Sequence, residues 1–322
     1  MIEVSSDDKT AALYKRRHTW IPAAPPAFFG LVVLVALSWA LRPVLLSPLL
    51  LAAIAKQAAP LGVVCIGQAM VMRCRSIDLS ASGVIVAVVY LTTSGVIDLP
   101  SWLVISLSLL LAILSGVVSG AIVTLRRASA VIVTLAVAIV LTGVVLAFSQ
   151  YREPGETPDI LRSVGLSRVY GLPAAVIVWI AMVAPSAVLL RRTVFGKYLD
   201  AVGSNPVAAS LSGMPTLWII FIAHVASSLT AGIAALLLLS ASSSGNTSLG
   251  QGLVMDSIAA VVLGGVTFGG GKGRIVGPTA GALMLTFLYS FLTSFGLGAA
   301  GQAMVQGIII AVAAAAYAGR QR

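Results

Sequence analysis

The fold is decided by residues 249–285, LGQGLVMDSIAAVVLGGVTFGGGKGRIVGPTAGALML. A short apolar run, 258–268, ends in a cluster of glycines, and Lys272 and Arg274 follow before a second apolar run begins. As a helix, segment 257–270 would be about 21 Å long, which is less than the roughly 30 Å hydrocarbon core of a bilayer. The stretch therefore predicts a short or broken membrane helix, a glycine-rich turn at the membrane surface and a full span back.

The polar residues at the start of this short helix lead to two further predictions, one about where the helix begins and one about a translocation path. Asp256 and Ser257 are typical N-cap residues, so they predict where the helix begins. Interrupted helices persist in membranes only where protein or a watery cavity covers the loose backbone, and in transporters they lie beside the substrate. The stretch therefore suggests a translocation path, with Asp256 among its candidate residues.

The whole chain has the composition of a membrane protein. Of its 322 residues, 59% are hydrophobic and 9% are charged, whereas a soluble domain carries about 25% charged residues. This predicts an all-α, polytopic membrane protein of about ten transmembrane helices. The second and eighth are expected to be broken, with a kink or break of the second at Pro60, because proline removes a backbone donor. The ten apolar segments are 27–46, 49–72, 77–97, 102–125, 130–149, 171–190, 216–240, 257–270, 275–296 and 302–318.

The net charge of +10 follows the membrane topology. With the N-terminus in the cytoplasm and ten spans, 15 of the 20 basic residues fall inside, which is the positive-inside bias. This predicts cytoplasmic tails at 1–26 and 319–322 around one transmembrane domain, 27–318, with membrane lipid rather than nucleic acid as a partner. The inner set is Lys9, Lys15, Arg16, Arg17, Arg73, Arg75, Arg126, Arg127, Arg191, Arg192, Lys197, Lys272, Arg274, Arg320 and Arg322, and the outer set is Arg42, Lys56, Arg152, Arg162 and Arg168.

Four segments, in order, resemble the sugar-type ABC transporter permeases of the ribose-permease-like group, a family related to the branched-chain amino-acid permeases. Residues 256–285 resemble the family's signature near its C-terminus. The other matches are GQAMVMRCRSIDLSASG (67–83) with G-x-T-x-V-x-x-x-G-G-I-D-L-S-V-G, SAVIVTLAVAIVLTGV (129–144) with A-F-I-V-T-L-G-T, and GKYLDAVGSNPVAASLSGM (196–214) with G-R-x-x-x-A-x-G-G-N-x-x-A-A-x-x-S-G-I. The resemblance covers about residues 50–318. The chain departs from the family at Arg75-Ser76, where Gly-Gly is usual, and at Ala81, where Val is frequent.

Loop 191–215 predicts a short helix on the cytoplasmic face. Ser204 or Asn205 can cap a helix over 207–212, and Gly213 can end it in a left-handed turn. The resemblance implies that this is the coupling helix, which inserts into an ABC ATPase subunit. The expected coupling residues are Gly203, Ser204, Asn205, Pro206, Ala208, Ala209, Leu211, Ser212 and Gly213.

Polar residues inside the apolar segments are the pathway candidates. Gln68 has two equal interpretations, an interhelical hydrogen bond or a substrate contact. Asp78 is better explained as a helix cap paired with arginine than as a proton relay. His224 is a lone intramembrane histidine, and such residues more often pack with a hydrogen bond than bind a ligand. The candidates for the pathway are Gln68, Ser80, Thr134, His224 and Asp256.

The sequence predicts no catalysis in this chain. The GGGKGR cluster fails the phosphate-loop template G-x-x-x-x-G-K-[ST], since Val266 and Gly273 stand at required positions. Cys65 and Cys74 have no zinc-site spacing, so neither a metal nor a cofactor is expected.

The resemblance implies a permease of a binding-protein-dependent importer in the bacterial inner membrane, carrying a ribose-like or other small sugar. The expected partners are an ABC ATPase subunit, a periplasmic sugar-binding protein and a second permease subunit, identical or homologous. The alternatives are a permease for branched-chain amino acids or another small polar solute, and an ion-coupled secondary transporter, which would favour buried acids along its spans.

Overall fold

The computed structural model describes residues 25–150, 154–250, 252–267, 270–271 and 273–319. Within them the chain forms thirteen α-helices, one 3₁₀ helix and one short antiparallel hairpin. The elements are α1 (Pro26–Leu41), the 3₁₀ helix (Pro43–Leu46), α2 (Pro48–Arg73), α3 (Ala81–Thr93), α4 (Ser101–Leu125), α5 (Ala130–Ser149), α6 (Asp159–Leu166), β1 (Arg168–Val169), β2 (Leu172–Pro173), α7 (Ala174–Arg192), α8 (Val194–Ser204), α9 (Pro206–Leu211), α10 (Thr216–Ser240), α11 (Leu253–Leu263), α12 (Val276–Thr293) and α13 (Ala299–Gly319).

The helices confirm an all-α, multi-pass membrane architecture. Each of the ten apolar segments of the sequence contains a helix. Among the described residues, six helices are long and apolar enough to cross a membrane, namely α2, α4, α5, α7, α10 and α12. Helices α1, α3 and α11 are apolar but shorter. The all-helical prediction is therefore confirmed, while the count of ten spans remains a prediction.

The predicted break in the second helix is wrong. Helix α2 runs through Pro60 as one helix of 26 residues, about 39 Å long. Neighbouring helices support membrane helices at prolines, and here α7 packs closely beside the proline. A Cβ added to Gly62 would lie 2.1 Å from the ring of Trp179, so α7 is in close contact with α2 two residues after the proline.

The predicted interruption at the eighth apolar segment is confirmed, with a different start. Helix α11 has 11 residues, about 16 Å, and ends before Gly265, whose φ is +85°. Gly252 stands at the N-cap position, so the predicted caps Asp256 and Ser257 are wrong. The Ser257 hydroxyl instead donates to the carbonyl of Val254 inside the helix, at 2.7 Å.

Helix α10 lies at the centre of the bundle between α2 and α4. A Cβ on Gly67 of α2 would lie 2.5 Å from the Ser227 Cα, and one on Gly116 of α4 would lie 2.8 Å from the Val225 Cα. Such close approach requires glycine, as is common where membrane helices pack. The central helix is therefore held backbone to backbone on two sides.

The loops gather at two ends of the bundle. At one end, which we call the basic end, the turn 73–76 meets loop 193–215 and segment 270–271. At the opposite end, Thr157 N–H donates to the Ser243 carbonyl at 3.1 Å. Lys56 also donates from α2 to the Gly165 carbonyl there, at 2.7 Å.

Candidate functional site

Helix α9 has the caps that the sequence predicts. The Asn205 side-chain oxygen accepts from the N–H groups of Val207 and Ala208 at 3.1 and 3.0 Å, so Asn205 rather than Ser204 is the N-cap. Gly213 has φ +76° and donates its N–H to the Ser210 carbonyl at 3.0 Å. The predicted short helix, with its two end signals, is confirmed.

One edge of α9 is apolar and exposed. Val207 and Leu211, four residues apart on the same face, are 68% and 85% exposed, whereas Ala209 is buried against the bundle. The helix therefore presents two large apolar side chains outward at the basic end.

The last turn of α8 is fixed to the bundle by two arginines. Arg73 Nε donates to the Asp200 carboxylate at 3.1 Å. Arg75 donates to the carbonyls of Gly203 and Ser204 at 2.6 and 2.7 Å. These carbonyls lie at the negative end of the α8 dipole, where a cation is favoured. The two arginines and their acceptors are called the arginine clamp below.

The glycine cluster of the decisive stretch closes the clamp from the third side. Gly271 N–H donates to the Arg73 carbonyl at 3.0 Å. A Cβ on Gly203 would lie 1.8 Å from the Arg73 carbonyl oxygen and 2.3 Å from the Gly271 nitrogen. Loop 193–215, the turn after α2 and the glycine cluster are therefore in direct backbone contact.

The backbone at Arg75 explains the departure from the family's Gly-Gly. Arg75 has φ +61°, the left-handed region that suits glycine. An L-residue pays about 1–2 kcal/mol there. Two hydrogen bonds from the charged Arg75 side chain to the carbonyls of Gly203 and Ser204 offset this cost.

Cys74 lies between the two arginines and is buried. Burial raises the pKa of its thiol to about 12; Arg73 lowers it and Asp200 raises it by smaller amounts. Because the thiolate is the nucleophile, burial makes the Cys74 thiol less reactive at neutral pH than an exposed cysteine.

The residues that follow Arg75 contact buried polar groups inside the bundle. Ser76 Oγ and His224 Nε2 are 2.9 Å apart. Leu79 N–H donates to Thr134 Oγ1 at 3.0 Å, and that hydroxyl also donates to the Ala130 carbonyl at 2.8 Å. Thr134 is thus a buried link between this segment and α5.

The predicted pairing of Asp78 with arginine is wrong, because both arginines of the clamp reach loop 193–215 instead. Asp78 is fully buried, and its Oδ1 accepts from the N–H and the hydroxyl of Ser80 at 2.8 and 2.5 Å. It therefore shapes the turn before α3, whose N-cap position is Ser80. Ser80, like Thr134, already has a partner within the protein.

Several buried polar atoms of α2, α4 and α10 have no hydrogen-bond partner among the described residues. Leaving such a group unpaired costs about 1–3 kcal/mol. Both amide atoms of Gln68 are in this state, so the structure gives no interhelical hydrogen bond to that side chain. We call the set the buried polar seam; it comprises Gln68, Ser115, His224 Nδ1, Ser227 and Ser228.

The contacts of neighbouring glycines locate the seam. Gly67, next to Gln68, lies against Ser227, and Gly116, next to Ser115, lies against Ser228 and His224. The three serines of the seam are not among the residues predicted from the sequence. His224, Ser227 and Ser228 share one face of a helix by their spacing of three and four residues, which could have identified two of them.

Asp256 belongs to a separate polar link. It is half-buried, and its Oδ1 accepts from the Tyr289 hydroxyl at 3.0 Å and from Gln306 Nε2 at 2.6 Å. The link ties α11 to α12 and α13. Sequence reasoning identified Asp256 but neither of its partners.

A groove of about 830 Å³ lies between α4 and α5, and Ser115 of the seam is among its lining residues. Its walls are almost entirely apolar, with Leu107, Leu111 and Val140 among them, so it suits lipid rather than a polar solute. In the part of the chain that the structure describes, no three His, Cys, Asp or Glu side chains form a group that could hold a metal ion.

Comparison with known proteins identifies relatives over most of the chain. A family model described as the permease component of branched-chain amino acid transport systems matches residues 50–314. The chain is 30% identical to the ribose import permease protein of Haemophilus influenzae, over 89% of this chain and 90% of that protein. It is 30% identical to the ribose import permease protein of Bacillus subtilis over 89% and 90%. It is 32% identical to the L-arabinose transport system permease protein of Escherichia coli over 78% and 77%. No solved structure matches the chain.

Proposed function

We propose, from the premise that this chain belongs to the sugar-type permeases of ABC transporters, that it forms the membrane path for import of a monosaccharide. The observation that carries the proposal is the buried polar seam, where uncharged donors and acceptors lie unpaired among the described residues. A sugar needs hydroxyl-compatible partners and no fixed counter-charge. The names of the ribose and arabinose relatives agree with this substrate class.

The energy for transport would come from a partner. The exposed apolar edge of α9 supports the proposal that loop 191–215 docks on an ABC ATPase subunit, with Asn205 and Gly213 fixing the ends of the coupling helix. A periplasmic sugar-binding protein would dock at the opposite end, and a second permease subunit would complete the path. In this proposal the chain itself hydrolyses no ATP.

The location follows from the same proposal. We place domain 27–318 in the bacterial inner membrane with both tails in the cytoplasm, so that the basic end faces the ATPase. The positive-inside distribution of the arginines supports this orientation.

One observation keeps ion-coupled transport as a second candidate. Asp78 is fully buried, and one of its carboxylate oxygens has no hydrogen-bond partner among the described residues. Intramembrane carboxylates are typical of proton relays. Ser80 satisfies the other oxygen, which favours a structural role for Asp78.

Gln68→Leu tests whether the seam binds substrate. We expect sugar uptake to fall roughly tenfold or more, since each lost hydrogen bond is worth about 0.5–1.5 kcal/mol. The thermal stability of the purified protein should stay equal or rise, because the native amide has no hydrogen-bond partner among the described residues. Gln57→Leu is the matched control, since Gln57 is exposed on the same helix and should not affect uptake.

Competition assays on the parent protein distinguish the substrates. Unlabelled ribose or arabinose should reduce the uptake of a labelled monosaccharide. Inhibition by leucine, isoleucine or valine but by no sugar would contradict the proposal. If Gln68→Leu takes up sugar normally but has a lower thermal stability, Gln68 serves packing and does not bind substrate.

A further inference from the structure

Segment 73–80, which joins α2 to α3, contacts loop 193–215 at its outer half. Arg73 is 3% exposed and pairs with Asp200, which is 44% exposed. Arg75 holds the last carbonyls of α8, and those carbonyls come directly before the Asn205 cap of α9. A movement of α8 and α9 must therefore move the arginine clamp or break it.

The inner half of the same segment contacts buried polar groups. Ser76 lies 2.9 Å from His224 of the seam, and Leu79 donates to Thr134 of α5. Asp78 and Ser80 stiffen the turn between these two contacts. Along the chain, Arg75 of the clamp is followed directly by Ser76, which contacts His224 of the seam.

We infer that segment 73–80 transmits movement of the α8–α9 region to the buried polar seam, with Arg73 and Arg75 as positioning residues. The inference rests on the proposed function, in which α9 is the part that an ATPase moves. It adds which element inside the permease receives that movement. One of the two clamp arginines stands on a turn that suits glycine, at Arg75-Ser76, where the sequence departs from the Gly-Gly of the family pattern.

Charge and burial make the clamp suitable for transmission. The ion pair and the carbonyl contacts hold α8 from two directions, and the Gly271 N–H closes the third. Gly203 has no space for a side chain against Arg73, so the surfaces cannot slide past each other without a backbone shift. A movement of α9 should therefore displace segment 73–80 as well.

Cys74 gives a direct readout, because it stands between the two clamp arginines in the sequence and is buried in the apolar cluster that includes Leu199 and Val202 of α8. The experiment uses the complete complex with its ATPase and binding protein, in a Cys65→Ala background, so that Cys74 is the only thiol of this chain. N-ethylmaleimide labelling is measured without nucleotide and after trapping with ATP and vanadate. We expect the labelling rate to differ at least about fivefold between the states, the lower range of ordinary coupling between sites.

The clamp is then released by the double variant Asp200→Asn/Arg75→Gly. Glycine suits the φ of +61°, so the turn keeps its shape while the Arg75 contacts are lost and Arg73 faces a neutral amide instead of a carboxylate. We expect the complex to assemble and hydrolyse ATP, with sugar imported per ATP reduced about fivefold or more. The nucleotide dependence of Cys74 labelling should also disappear. Asp98→Asn/Arg126→Gly makes the same charge changes at exposed positions and should leave both readouts unchanged.

The outcomes separate this inference from the proposed function. Equal labelling of Cys74 in both nucleotide states of a complex that imports sugar would overturn the inference alone. Unchanged sugar per ATP in the clamp variant would do the same. Absence of ATP-driven import in the Cys65→Ala complex and in the exposed control would overturn the proposed function on which the inference rests.

Discussion

Replacing Gly213 by valine is expected to abolish ATP hydrolysis stimulated by the binding protein, and sugar uptake with it, while the complex stays assembled. Gly213 has φ +76°, and a Cβ there would meet no atom within 4 Å. The effect is therefore backbone strain, about 1–2 kcal/mol for an ordinary L-residue and more for a β-branched one. Helix α9 has six residues and little intrinsic stability to resist this strain.

Gly171→Val is the matched control for this prediction. Gly171 has φ +82° and equally open surroundings, but it lies in the hairpin before α7, at the opposite end from α9. The backbone strain is the same, and basal ATP hydrolysis should be unaffected. Normal transport by Gly213→Val would mean that loop 191–215 is only a connector.

Replacing Gly281 by leucine is expected to disrupt the bundle itself. A Cβ at Gly281 of α12 would lie 2.1 Å from the Ala260 carbonyl oxygen and 3.0 Å from its Cα. Since the atoms in the way are backbone, α11 must move. Overpacking a well-packed core costs about 1–3 kcal/mol, and we expect this backbone clash to reach or exceed the upper value.

Thermal unfolding in detergent measures this effect, with Gly143→Leu as the control. Gly143 lies within α5, and a Cβ there meets nothing within 4 Å. Leucine at that position should leave the unfolding temperature almost unchanged. Equal unfolding temperatures for the two variants would mean that α11 is not held by its contact with Gly281.

Hydropathy and local chemistry predicted much of this fold. Each apolar segment contains a helix, and the ends of α9 follow from Asn205 and Gly213, because capping depends on residues close in sequence. The short eighth helix also follows from its composition.

The features that the sequence did not predict depend on packing between residues far apart in the chain. Helix α2 continues through Pro60, with Trp179 of α7 packed against Gly62 two residues further along. The arginines bind loop 193–215, more than a hundred residues along the chain, and not the nearby Asp78. Of the candidate site, the sequence identified Gln68 and His224. Ser115 and the clamp depend on contacts between segments far apart in the chain, whereas the spacing of Ser227 and Ser228 from His224 is visible in the sequence.

The most direct test of the account is the energy source of uptake by the complete complex in proteoliposomes. We predict that a labelled monosaccharide accumulates only with hydrolysable ATP on the side of the ATPase, and that accumulation persists when a protonophore removes the ion gradient. The purified chain alone should neither hydrolyse ATP nor accumulate sugar. Uptake by the chain alone that requires a proton or sodium gradient and ignores ATP would contradict the account.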